Sequence, residues 1–259
     1  MKIEPKFNPI ENATLSSELK KSILKYIGES TKLGLYKLPS EVNISNNLGV
    51  SRLALREVFK ELRNDGILYS IHGKGTYINK NFTNLKFRLT PAREFLKSIY
   101  ACGYEASVEV VDYNIVQSDA EGIKSLELKQ GDKLLNIFKV FFADNKPVIF
   151  CIDTIPYKYF KDVKITQDDL NISTFDYIKN KANIVVENDI VEMTAVLSDE
   201  IPNEFESYKS KVLHKPLIKM ASIYYTLTQE PVMRVKAFFD TENIKLSQLR
   251  KQNVYDDYL

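Results

Sequence analysis

The sequence predicts an α+β protein: a small helical head followed by a larger body built on an antiparallel sheet. Three observations carry that prediction. Apolar residues near the N-terminus recur every three or four positions, the period of a helix with one buried face. From about residue 107, segments rich in Val, Ile, Phe and Tyr follow one another with tight turns and few helical stretches between them. Charge divides along the same line. Residues 1–80 hold 13 Lys and Arg against 8 Asp and Glu, whereas residues 81–259 hold 23 against 26. A basic head on a mildly acidic body suits a head that meets a polyanion. The length of 259 residues suits two domains, 10–80 and 90–250, with a polar linker over 81–89.

The elements follow in order. Leu15, Leu19, Ile23 and Ile27 lie four apart and predict a first helix, with Gly28 and Gly34 loosening the chain after it. Ser40 is a good N-cap for a short helix over 41–48, and Glu41 falls in the first turn, where the helix dipole favours a carboxylate. Gly49 breaks that helix. Ser51 caps a third, whose buried face is Leu55, Val58, Phe59 and Leu62; Asn64-Asp65-Gly66 stops it. Ile67–Ile71 and Thr76–Ile78 read as strands around the turn His72-Gly73-Lys74-Gly75, a hairpin. In the body, Thr90-Pro91 opens a helix to Ala101. Strands are expected over 107–115, 133–142, 147–155, 185–197, 215–228 and 231–239, with helices in 118–126 and 167–181.

Composition removes several function classes. With 44% apolar and 27% charged residues the chain has the make-up of a folded protein. No run approaches the ~18 apolar residues of a membrane span, and no signal segment is evident, so a cytoplasmic protein without a membrane partner is expected. The only cysteines are Cys102 and Cys151 and the only histidines His72 and His214, too few and too scattered for a zinc site. No metal and no cofactor are expected. There is no nucleophile elbow, phosphate loop or HExxH, so no catalytic residue is assigned and no enzyme is expected.

Two short helices around a glycine turn, with a hairpin after the second, form the pattern of a winged helix-turn-helix. The N-terminal end of the third helix would enter the major groove. With Leu55, Val58 and Leu62 turned inward, Arg52 and Arg56 share an outward face, one turn apart, where each guanidinium can meet a phosphate or a guanine edge. Small side chains at Ser51 and Ala54 permit close approach. The Gly73-Lys74-Gly75 tip can reach an adjacent phosphate or minor groove. The residues expected to face duplex DNA are Ser40, Ser51, Arg52, Leu53, Ala54, Arg56, Gly73, Lys74 and Gly75.

These residues resemble the DNA-binding domain of the GntR family: Leu38-Pro39-Ser40-Glu41, Leu48-Gly49-Val50-Ser51-Arg52, Arg56-Glu57, Asp65-Gly66-Ile67 and Gly73-Lys74-Gly75-Thr76. The body is similar to the UTRA effector-binding domain of the HutC subfamily. It carries Arg88-Leu89-Thr90, Gly131-Asp132, Ala143-Asp144-x-x-Pro147-Val148, Ile155-Pro156, and Pro231-Val232 with Asp240. The resemblance implies a mixed α/β, chorismate lyase-like second domain. It also implies a homodimeric transcription regulator, in most members a repressor, that binds a palindromic double-stranded operator and releases or grips it in response to a small metabolite. The family's recognition-helix arginines fall on Arg52 and Arg56 and its wing glycines on Gly73 and Gly75. Val42 stands where the family often has an arginine.

Candidate effector contacts are Arg88, Thr90, Arg93, Lys139, Tyr224 and Arg234. A helix opening at Thr90 with Arg93 in its first turn would receive an acidic group. Lys139 and Phe141 stand where phosphosugar-binding members carry arginines, and Cys151 replaces a carboxylate common on the next strand. The aromatics Phe138, Phe141, Phe142, Phe150, Tyr224 and Tyr225 are candidates for a pocket lining, and Arg234 and Lys236 share a strand face that can meet an acidic ligand. Two readings from other classes stand beside this one: a small-molecule-processing enzyme on a chorismate lyase-like fold, and a DNA-binding protein without a ligand.

Overall fold

In the computed structural model, which describes residues 15–89, 94–160 and 164–250, helix α1 spans Leu15–Lys32 and passes through Gly28. A helical glycine costs about 1 kcal/mol. Burial of Leu19, Ile23, Tyr26 and Ile27 along one face outweighs it, and the chain turns instead at Gly34, with φ +71°. Helix α2 (Glu41–Leu48) and helix α3 (Arg52–Asn64) follow as the sequence indicates. The Ser40 hydroxyl accepts from Asn43 N–H at 3.2 Å, and that of Ser51 from Ala54 N–H at 3.1 Å. Gly49 takes the left-handed conformation at φ +67° that closes α2. Strands β1 (Leu68–Ile71) and β2 (Gly75–Ile78) form the antiparallel hairpin.

The core of this unit joins Leu19, Ile23, Ile44, Leu55, Phe59, Leu62 and Ile78 with Phe82. Phe82 lies on helix α4 (Lys80–Thr83), inside the stretch read from the sequence as a linker. Leu249 packs against the same core. Residues 247–250, read from the sequence as part of the second domain, therefore belong to the first unit, together with 15–89.

The second unit begins, among the described residues, with helix α5 (Phe95–Ala101). Strand β3 (Ala106–Gln117), helix α6 (Ala120–Ser125) and the hairpin of β4 (Lys133–Ala143) with β5 (Lys146–Pro156) come next. Asp144 and Asn145 at its tip both have positive φ, as a two-residue primed turn requires. The single helix expected in 167–181 is two, α7 (Gln167–Leu170) and α8 (Thr174–Ala182). Strand β6 (Asn188–Leu197) leads into short helical turns that include α9 (Glu206–Lys209), and β7 (Pro216–Tyr225) and β8 (Pro231–Phe239) complete the unit. The sheet is antiparallel throughout, in the order β3-β4-β5-β8-β7-β6.

Each sheet face has its own cover. On one, Phe138, Val140, Phe150, Leu217 and Phe238 pack against Ile201, Phe205 and Val212 from the turns around α9. On the other, Phe95 of α5 sets its ring edge-on to Phe141 and Phe239, and Phe175 of α8 meets Tyr224.

Helix α6 is seated by a close approach at Gly122, whose N–H donates to the capping Asp119 carboxylate at 2.6 Å. A Cβ here would lie 2.7 Å from Ser118 Oγ, 2.9 Å from Asp119 Oδ1 and 2.9 Å from a Leu134 methyl. Gly122→Ala is expected to displace the cap and lift α6, costing about 1–3 kcal/mol as overpacking does. A chemical denaturation curve coinciding with wild type would contradict that close fit.

Candidate nucleic-acid interface and effector-domain site

Helix α3 buries Leu55, Val58, Phe59 and Leu62 completely, and this fixes which side faces out. The outward end carries Arg52, Leu53 and Arg56, all exposed, with Ala54 half-buried between them. Leu53 is 71% exposed, a large apolar side chain held in water. Apolar groups at such a position match the methyl of a thymine in the major groove. Arg52 makes no ion pair among the described residues. Arg56 Nε lies 2.7 Å from Glu41 Oε2 of α2. That pair sets the guanidinium plane and leaves its two terminal nitrogens for another acceptor. The Ser40 and Ser51 hydroxyls accept cap bonds, so each can still donate a proton to a phosphate.

The hairpin tip is exposed from His72 to Gly75. Gly73 and Gly75 have φ +72° and +105°, so side chains there would be strained, and the tip presents backbone flanking Lys74. Behind it, the Tyr69 and Tyr77 rings stack at 5.5 Å, and Lys37 lies over the Tyr77 ring at 5.8 Å. Glu41 as a positioning partner and Lys37 as a further cation were not read from the sequence. Both depend on which segments cross, which local spacing does not reveal.

The candidate effector residues do not converge. Thr90 and Arg93 lie outside the described residues. Arg88 belongs to the first unit, with its guanidinium 4.4 Å from the centre of the Phe82 ring. Lys139 and Tyr224 are on the sheet face covered by α5 and α8, while Arg234 and Lys236 are on the opposite face. There they meet α6: Glu121 lies 3.3 Å from Arg234 and 2.8 Å from Lys236. The aromatics divide too, since Phe138, Phe142 and Phe150 sit in the core around Phe205 and Phe141 is on the other face.

Lys139 is 4% exposed. Its Nζ donates to the Ile172 carbonyl at 3.0 Å and the Thr174 hydroxyl at 2.8 Å, and lies 3.9 Å from Asp153. The Thr174 hydroxyl donates to one Asp153 oxygen, and the Cys151 thiol to the other at 3.3 Å. Burial, and then the Asp153 carboxylate, push the Cys151 thiol well up, so it stays protonated at neutral pH. Burial and the Asp189 carboxylate do the same to the Tyr224 hydroxyl. The arrangement is a compensated polar cluster beneath the start of α8. It offers hydrogen bonds and an aromatic wall, with its one cation already matched by a carboxylate. The carboxylate missed from the sequence is Asp153, two residues beyond Cys151 and on the same face of β5.

Residues 17–78 match the bacterial regulatory proteins of the gntR family, and residues 101–245 match the UTRA domain. The mannosyl-D-glycerate transport/metabolism system repressor MngR of Escherichia coli is 22% identical over 216 residues, covering 83% of this chain and 87% of MngR. The HTH-type transcriptional repressor NagR of Bacillus subtilis is 24% identical over 149 residues, covering 58% of this chain and 60% of NagR. The solved structure of YydK from Bacillus subtilis has the same fold, with a TM-score of 0.69 over 92% of this chain and 99% of YydK at 14% identity. No described helix is long and apolar enough to cross a membrane. A reading head with an exposed arginine pair, followed by a matched sensor domain, is the build of a transcription regulator and not of an enzyme: the chain belongs to the GntR family, in its UTRA-bearing HutC subfamily.

Proposed function

We propose that this protein is a homodimeric repressor that holds a palindromic operator through α3 and the hairpin, and whose operator affinity changes when a small metabolite binds the second domain. The observation that carries the reading is the split of α3 into a fully buried apolar face and an exposed end bearing Arg52, Leu53 and Arg56. MngR and NagR are both named repressors, which supports that sign of control. A dimer sets two copies of α3 on half-sites one or more helical turns apart. The effector acts by its differential affinity for two states of the protein.

For the ligand itself, the cluster of Lys139, Asp153, Thr174 and Tyr224 supports an uncharged polar molecule. The acidic effector expected from the sequence loses support, because Lys139 is matched by Asp153 and Arg234 by Glu121. An anion would have to displace a carboxylate from a buried ammonium. Selection from a random duplex pool tests the DNA half of the proposal. An inverted repeat is expected, bound on the order of 10³-fold more tightly than its scrambled version. Equal binding to both would refute a sequence-specific operator. Thermal unfolding against neutral and acidic metabolites tests the other half; stabilisation by the acidic ones alone would reverse the ligand assignment.

A further inference from the structure

The hairpin of the first unit has a third strand that the local sequence hides. Leu38 N–H donates to the Thr76 carbonyl at 3.0 Å and Ile78 N–H to the Tyr36 carbonyl at 2.7 Å, which sets Lys37 opposite Tyr77. Tyr77 in turn lies opposite Tyr69, and Gly75 opposite Ile71. Leu68 and Ile78 are buried, so the alternate residues Tyr69, Ile71 and Tyr77 turn away from the core, with Tyr69 45% and Ile71 40% exposed. Lys37 shares that outer face.

The Lys37 side chain runs toward the tip. Its Nζ lies 5.8 Å from the centre of the Tyr77 ring, and a Cβ on Gly75 would lie 3.7 Å from its Cε. The aliphatic stem therefore lies along the side of Gly75 that carries no side chain. The ring beneath the ammonium is itself backed by Tyr69, stacked at 5.5 Å. Gly75 thus has Lys74 beside it in sequence and Lys37 beside it in space, with Ile71 across the ladder. Neither lysine makes an ion pair among the described residues, and no Asp or Glu occurs in 30–40 or 66–80. The tip is narrow, apolar on one side, and doubly cationic.

We propose that Lys37 and Lys74 together read the width of the minor groove, so that operator specificity extends to A·T-rich base pairs flanking those under α3. The inference rests on the operator-binding reading above and adds a class of base pair that α3 does not touch. A·T stretches narrow the minor groove and deepen its negative potential, which attracts inserted cations. A G·C pair places the guanine 2-amino donor on the groove floor, where it faces an ammonium unfavourably. A groove about 6 Å wide admits a tip only if it is slim, as glycines at 73 and 75 make it. Ile71 is placed to lie against the sugar walls. The Tyr77 ring and the space at Gly75 hold Lys37 in place before DNA arrives, so little side-chain freedom is lost on binding.

The test uses the full chain and duplexes that share the selected bases under α3 and differ only in the flanking pairs. By fluorescence anisotropy the wild type is expected to bind A·T flanks roughly fivefold or more tightly than G·C flanks. Inosine·C flanks keep the major-groove pattern of G·C but lack the 2-amino group, so they should bind like A·T. Lys37→Gln should bring the A·T to G·C ratio within about twofold and lower the salt slope by about one. It should still prefer selected over scrambled bases under α3, because Arg52 and Arg56 are untouched. Lys37→Arg should keep the flank preference, and Lys74→Gln, at the exposed tip, should lose it and gives a second reading if Lys37→Gln does not fold. A wild type with no sequence-specific operator would refute the repressor reading itself. A wild type indifferent to the flanks, or glutamine variants that keep the full ratio, would refute this inference and leave that reading standing. Inosine·C flanks that bind like G·C would overturn the minor-groove assignment.

Discussion

Arg52→Ala is expected to weaken operator binding by about 1–3 kcal/mol, roughly 5- to 150-fold, if the guanidinium reads a base edge. The side chain is exposed at the first position of α3, with no ion pair among the described residues, so its removal costs the fold little. Arg56→Ala should cost as much with one difference. It strips Glu41 of its partner at 2.7 Å and leaves a carboxylate facing the phosphates. The pair Arg56→Ala with Glu41→Gln should therefore bind better than Arg56→Ala alone. Fluorescence anisotropy on selected and scrambled duplexes separates the roles. Removing a hydrogen bond to a base edge weakens the selected duplex more. Removing one to a phosphate weakens both alike and lowers the salt slope by about one. Unchanged binding by both arginine variants would remove α3 as the reading element.

The second large effect concerns stability. Asp153→Ala leaves Lys139 at the centre of the sheet with its ammonium uncompensated, 4% exposed. Breaking a buried pair in this way costs about 3–5 kcal/mol, a large part of a domain's margin. The combination Lys139→Met with Asp153→Leu should regain most of that loss, because apolar groups of similar volume replace a buried ion pair at little cost. Denaturant unfolding of the three proteins measures it. A stable Asp153→Ala protein would mean that the carboxylate does not hold Lys139 in place. Lys139→Met alone should cost less than Asp153→Ala, since Asp153 keeps the Thr174 and Cys151 donors.

Much of the head was legible because its signals are local. The Ser40 and Ser51 caps, the Gly49 stop and the Leu55, Val58, Phe59 and Leu62 face each depend on residues within one or two turns. The strands of the body were legible from alternation and turns, and Asp144-Asn145 marked the β4–β5 tip. What escaped depends on distant pairing. That Arg234 and Lys139 lie on opposite faces follows from the order β4-β5-β8 and from the registers of both ladders, which no window of sequence contains. The Glu41–Arg56 pair depends on the crossing of two helices. The turns over 198–212 hid for another reason. Ile201, Phe205 and Val212 are core residues on short interrupted turns, with Pro202 among them, so no helical period accumulates.

The seating of Leu249 on the core of the first unit has a topological consequence. The chain leaves the reading head near residue 89 and re-enters it at 247, so the sensor is spliced into the reader and not hung from its end. Two covalent crossings link the units where a simple tandem arrangement has one. A reader cut off after residue 89 would also lack the plug that Leu249 supplies.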